Sequence, residues 1–132
     1  MFRLNYEDLL GVEFKLNGRD PNDGLDCYGL CMEIYKRMGL RLPEFSYAFQ
    51  ESLLHKQIEE GSRKFVEIAD PEPGCLVTFA IMPPYTSHIG VVVDGSRFIH
   101  IMKKTRVALE RLDASEWRKR ITGYYRWKTQ RP

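Results

Sequence analysis

Cysteine and histidine are scarce in this chain, three of each, and their placement is the first pointer to chemistry. Cys27 and Cys31 stand four apart in "GLDCYGLC", residues 24 to 31, directly after a run of turn formers. His88 and His100 bracket the stretch "HIGVVVDGSRFIH". A thiol beside an imidazole is a nucleophile with its general base, the pairing that carries acyl transfer through a thioester. The same four residues also make a conceivable Cys2His2 zinc set, and a free cysteine on an apolar helix face is often plain core. Cys-x3-Cys within one helix departs from the Cys-x2-Cys knuckle usual for structural zinc, which makes the metal set the weaker reading. The preferred reading needs no metal and no cofactor.

The elements that must position these residues follow from local patterns. "LNGRDPNDG", residues 16 to 24, is dense in turn formers and reads as an irregular loop. A helix follows, with Asp26 as N-cap and Cys27, Leu30, Cys31, Ile34 and Met38 at helical spacing. Gly39 marks its stop, and Pro43 prevents continuation. Cys27 thus falls in the first turn, where unsatisfied N–H groups and the helix dipole favour a thiolate. Cys31 lies one turn deeper among Leu30 and Ile34 and reads as core. A second helix is expected from about Tyr47 to Glu60, with Leu53, Leu54 and Ile58 inward and His55 on the surface.

From residue 75 the character changes to strands: "CLVTFAIM", "HIGVVVD", "RFIHIM", "TRVALE" and "ITGYYRW", with a helical turn at "DASEW" (113 to 117) before the last. Helices first and then consecutive short strands predict an α+β fold, N-terminal helices packed on an antiparallel sheet of about five strands. The hairpin loop decides where the histidines point. A two-residue loop, Asp94-Gly95, sends His88 and His100 to opposite faces. A three-residue loop, Val93-Asp94-Gly95, sets them directly opposite each other on one face, with Gly95 in the left-handed position of a bulged turn. The odd loop is the reading adopted.

Length and composition place limits on the function. The 132 residues, 43% hydrophobic and 29% charged, suit one soluble domain spanning 1–132. The start, "MFRLNYEDLLGVEF", has no apolar run of signal-peptide length, and no stretch reaches a membrane span, so the chain is expected in the cytoplasm with no membrane partner. An odd cysteine count argues against a disulfide framework. Residues 97 to 132 hold 11 Lys/Arg against 3 Asp/Glu, whereas residues 1 to 96 hold 9 against 15. No nucleic-acid motif accompanies the basic third, so it reads as a solvated face rather than a specific DNA or RNA reader.

Three stretches together resemble the NlpC-type papain-like cysteine peptidases (the NlpC/p60 family), cell-wall hydrolases also found in phage tails. "GLDCYGL" is similar to the family's Asp-Cys-x-Gly-Leu, "SHIGVVV" to its histidine strand, and "RFIHI" to the strand carrying the third polar residue. "LGVEFKLNGRDP", "LRLPEF" and "PGCLVTF" extend the likeness over most of the chain, and the "RLPEF" ending most resembles phage and prophage tail-associated members. The resemblance implies a papain-like fold and a Cys27–His88–His100 triad. His88 takes the proton of Cys27 and later returns one to the leaving amine. His100, when neutral, accepts a hydrogen bond from His88, so activity is expected to fall in acid as His100 protonates near the usual value of about 6.5. The implied substrate is a peptidoglycan stem peptide, cut at a γ-D-glutamyl bond to a diamino acid, with phage tail proteins as further partners. Asp26, Tyr28 and Phe14 would lie at the substrate. Tyr28 replaces the family's usual serine, and Phe14 its usual tyrosine. Cys75 stands where the family often has Asp and reads as structural. Two other readings share the fold: a non-catalytic tail or wall-binding module, and an amidase or thioesterase on another acyl group.

Overall fold

The structure, a computed structural model, describes residues 4–44, 65–81 and 83–128. A 3-10 turn at Glu7–Leu9 leads to the short paired strands β1 (Arg19–Asp20) and β2 (Gly24–Leu25), and then to α1 (Cys27–Arg37). The main strands are β3 (Phe65–Ile68), β4 (Leu76–Phe79), β5 (His88–Val92), β6 (Arg97–His100), β7 (Ala108–Arg111) and β8 (Ile121–Trp127). A four-residue helix, α2 (Ser115–Arg118), precedes β8 at the expected helical turn. The second helix expected at Tyr47–Glu60, with His55, lies outside the described residues.

The helix α1 begins and ends as its sequence dictates. Asp26 caps it, accepting the Gly29 N–H at 2.7 Å. At the far end the N–H groups of Gly39 and Leu40 return to the carbonyls of Lys36 and Tyr35, so the last turn closes on itself. Leu30, Cys31, Ile34 and Tyr35 are buried against Leu76, Ile89, Val91 and Ile99 of the sheet.

Sheet order is β3-β8-β4-β5-β6-β7, antiparallel throughout. Among the described residues this main sheet has six strands where about five were expected. The added one, β3, reads Phe-Val-Glu-Ile, too short and too mixed to declare itself before β8 supplies a partner. Beyond α1, a second cluster gathers Cys75, Val77, Phe79, Val92 and Phe98 around Leu112 and Trp117. With apolar neighbours on both sides, β4 and β5 are buried along their whole length, which explains why neither alternates clearly in sequence.

Candidate active site

The cysteine segment is held by one buried carboxylate. Asp26 is wholly inaccessible. Its Oδ1 accepts from the Gly29 N–H at 2.7 Å and from Arg19 Nη1 at 2.9 Å, and its Oδ2 from the Asn17 N–H at 2.9 Å. One side chain thereby fastens the loop before the helix to the helix's opening turn. Asp26, expected at the substrate, thus has both of its oxygens engaged within the protein. Arg19 also donates to Glu44 at 2.9 Å, and its guanidinium sits 5.8 Å from the centre of the Tyr28 ring. Cys27, the first helical residue, is buried. Cys31 is fully buried, and that burial pushes its thiol well above the usual range; Cys75 is likewise buried and pushed up to about 11. Both are core.

The histidines meet. His88 Nε2 and His100 Nδ1 are 2.8 Å apart, and both side chains are buried. The odd hairpin loop is present, but it consists of Asp94-Gly95-Ser96 rather than Val93-Asp94-Gly95, and Gly95 is not left-handed. Asp94 sets this turn by accepting from the N–H groups of Ser96 and Arg97, each at 2.9 Å, which leaves Val93 in the ladder. Val91 faces Ile99 and Val92 faces Phe98. His88 and His100 therefore share a face but stand diagonally, not directly opposite. Gly90 occupies the intervening position. A Cβ there would lie 2.8 Å from the Ile99 carbonyl oxygen and 3.2 Å from the His100 Cβ, so only glycine leaves His100 room to lean towards His88.

Aromatic rings enclose the pair. The Phe79 ring centre is 5.4 Å from His88, and those of Phe98 and Trp117 are 4.8 and 4.7 Å from His100. Burial, together with the mutual repulsion of the two rings if charged, holds His88 well below the ordinary histidine value. Burial lowers His100 too, opposed by Glu110, whose Oε2 lies 3.5 Å from His100 Nε2. The expectation that His100 protonates near its usual value is corrected downwards. Glu110, Trp117 and Arg19 went unnoticed in sequence, because each acquires its role through a side-chain contact that no local pattern marks. Among the described residues, no group of three or more His, Cys, Asp or Glu is placed to hold a metal ion.

Tyr28 is buried, and its hydroxyl donates to the Pro43 carbonyl. Burial raises its phenol above the usual range. Phe14 is half-buried, backed by the α1 core, and borders a surface pocket of about 460 Å³ with Glu13, Lys104, Thr105 and Arg106. The structure thus keeps Phe14 near the surface and commits Tyr28 to packing.

Comparison with known proteins adds a family. The NlpC/P60 family matches residues 11–126. The gamma-DL-glutamyl hydrolase of Bacillus subtilis is 26% identical over 126 residues, covering 92% of this chain and 27% of that protein. The murein DD-endopeptidase MepS/murein LD-carboxypeptidase of Escherichia coli is 27% identical over 116 residues, covering 87% and 55%. The chain spans about half or less of the length of these relatives. Among solved structures, an NlpC/P60 family protein from Bacillus cereus superposes with a TM-score of 0.71 at 22% identity, over 90% of this chain and 36% of that one. The NlpC/p60 domain of the peptidoglycan hydrolase SagA gives 0.61 at 18%, over 89% and 88%.

Proposed function

The chain belongs to the NlpC/P60 family, and from that premise we propose that it is a cysteine peptidase cutting a peptidoglycan stem peptide between γ-D-glutamate and a diamino acid. The observation that carries this reading is the 2.8 Å bond from His88 Nε2 to His100 Nδ1. It engages one nitrogen of His88 and leaves Nδ1 for a thiol. The helix α1, which opens on Cys27, covers the face of β5 that carries Ile89 and Val91. His88, whose ring lies with Phe79 and Trp117, is the first residue of that strand. The reading requires the Cys27 sulfur to come within hydrogen-bond reach of that Nδ1. The relatives' names, a gamma-DL-glutamyl hydrolase and a murein endopeptidase, support a glutamyl or murein peptide as the substrate class.

In this mechanism His88 Nδ1 takes the Cys27 proton, and the thiolate adds to the scissile carbonyl. The Cys27 N–H, in the opening turn of α1, donates to the resulting oxyanion. His88 returns its proton to the amine as the C–N bond breaks, leaving a thioester. Water, deprotonated by the same nitrogen, attacks the thioester, and the acid and free thiol are restored. No metal or cofactor takes part. Digestion of purified peptidoglycan by wild type and Cys27→Ala, with fragments identified by mass, tests activity and bond together. Release of fragments ending in γ-D-glutamate by wild type alone supports the reading; equal digestion by both proteins, or by neither, refutes it.

The "RLPEF" ending supports a finer placement, as a cytoplasmically made enzyme carried in a phage tail. Detection of the chain by antibody in purified, prophage-derived particles tests that placement, and its confinement to the cytosol would overturn it.

A further inference from the structure

One polar neighbour of the histidine pair lies outside the proposed triad. The β6–β7 register sets Ala108 opposite His100 and Glu110 opposite Phe98, so His100 and Glu110 share a face one diagonal step apart. Glu110 Oε2 is 3.5 Å from His100 Nε2. Besides His88, two aromatic rings flank His100, Phe98 centred 4.8 Å and Trp117 4.7 Å away. The other charges on these strands have their own partners, Arg97 with Asp94 and Arg111 with Asp113, each at 2.9 Å.

A neutral His100 has two tautomers, and the carboxylate distinguishes them. With the proton on Nε2, the ring presents an N–H on the side where the Glu110 carboxylate stands 3.5 Å away, and the Nδ1 lone pair receives the proton on His88 Nε2. His88 then presents a bare Nδ1, able to take a proton from a thiol. With the proton on Nδ1, the Nε2 lone pair faces a carboxylate oxygen and is repelled. His88 must then turn its own lone pair towards His100, which leaves its Nδ1 protonated and useless as a base. We infer that Glu110 is a positioning residue that fixes the tautomer of His100 and, through it, makes Nδ1 of His88 the base. The catalytic part of this inference rests on the Cys27–His88 reading above; the tautomer itself does not.

The test is long-range proton–nitrogen spectroscopy of the imidazoles in the full chain labelled with 15N-histidine, comparing wild type with Glu110→Gln and Glu110→Ala. Glu110 is partly exposed, so both variants should fold, which a thermal melt checks. Wild type should show both rings protonated on Nε2, and Glu110→Ala should show His100 averaging between tautomers. On peptidoglycan fragments, kcat should fall about tenfold with KM unchanged. The acid limb should move to lower pH, because the carboxylate no longer favours the imidazolium. An unchanged His100 tautomer in both variants overturns the inference. A changed tautomer accompanied by an inactive wild type would instead sink only the peptidase reading.

Discussion

At the scale of single residues, burial sets the protonation states the chemistry depends on. His88 and His100 lie among Phe79, Phe98 and Trp117, and both are held below the ordinary histidine range by desolvation. The pair therefore stays neutral into mild acid, and the acid limb of kcat/KM should fall below the usual value of about 6.5. A limb at or above that value, read from a pH–rate profile, would contradict the burial argument. His100→Asn should lower kcat about a hundredfold or more, since the amide orients a base less strictly than a ring. It should also displace the acid limb, and an unmoved limb would deny His100 its titrating role. The same burial separates the thiols. Cys31 and Cys75 are raised by desolvation, so iodoacetamide below neutral pH should modify Cys27 alone, as peptide mapping would report. Labelling that appears only at alkaline pH, or first at Cys31, would remove the nucleophile.

At the scale of elements, two short stretches hold the geometry, and each permits a structural test. Gly90→Ala places a methyl 2.8 Å from a backbone carbonyl that the β5–β6 ladder fixes. It should cost about 1–3 kcal/mol in urea unfolding and lower kcat at least tenfold while the fold persists. Wild-type kcat in that variant would show that the diagonal approach of the histidines needs no such clearance. At the other end, Asp26→Ala removes the cap of α1 and leaves Arg19 with only its exposed partner Glu44. The expected loss is about 2 kcal/mol or more. It should shrink when Arg19→Met is already present, and simple additivity in that cycle would argue that the two act separately. Much of this frame is legible in sequence. Asp26, the periodicity to Ile34 and the glycine stop declare α1, and the parity of the hairpin loop puts both imidazoles on one face. The exact register is not legible, because Asp94 could close the turn from either side and only its bonds to Ser96 and Arg97 select one. Nor is β3, whose four residues become a strand only against β8, or Glu110, whose role needs the β6–β7 pairing. The signals that survive in sequence are the local ones; those lost depend on contacts across the sheet.

At the scale of the whole molecule, the basic excess of the last third is largely a surface property. Arg97, Arg106, Arg111 and Arg126 each meet an acidic residue near at hand, and such exposed pairs contribute little to stability. The stability of the chain should instead depend on pH mainly through the buried histidines. In the folded protein their values are lowered, whereas in the unfolded chain they return to about 6.5. Between these limits the unfolded state binds more protons than the native one, so stability is full above about 6.5 and falls as the pH drops below it. Two such groups allow a slope approaching about 2.7 kcal/mol per pH unit where both are charged only when unfolded. Asp8, Asp94 and Asp113 act lower down. Their carboxyls are held below the ordinary value by hydrogen bonds to Arg37, to the Ser96 backbone and to Arg111 respectively. Their contribution is therefore present above about 4 and lost only in stronger acid. Urea midpoints measured across this range should fall in two stages, the first near neutrality and the second below about pH 4. In His88→Gln the first stage should shrink, since one of its two protons is gone, while the second stays in place. A first stage of undiminished size would mean that the histidine pair is not the buried, neutral unit on which the chemistry has been built.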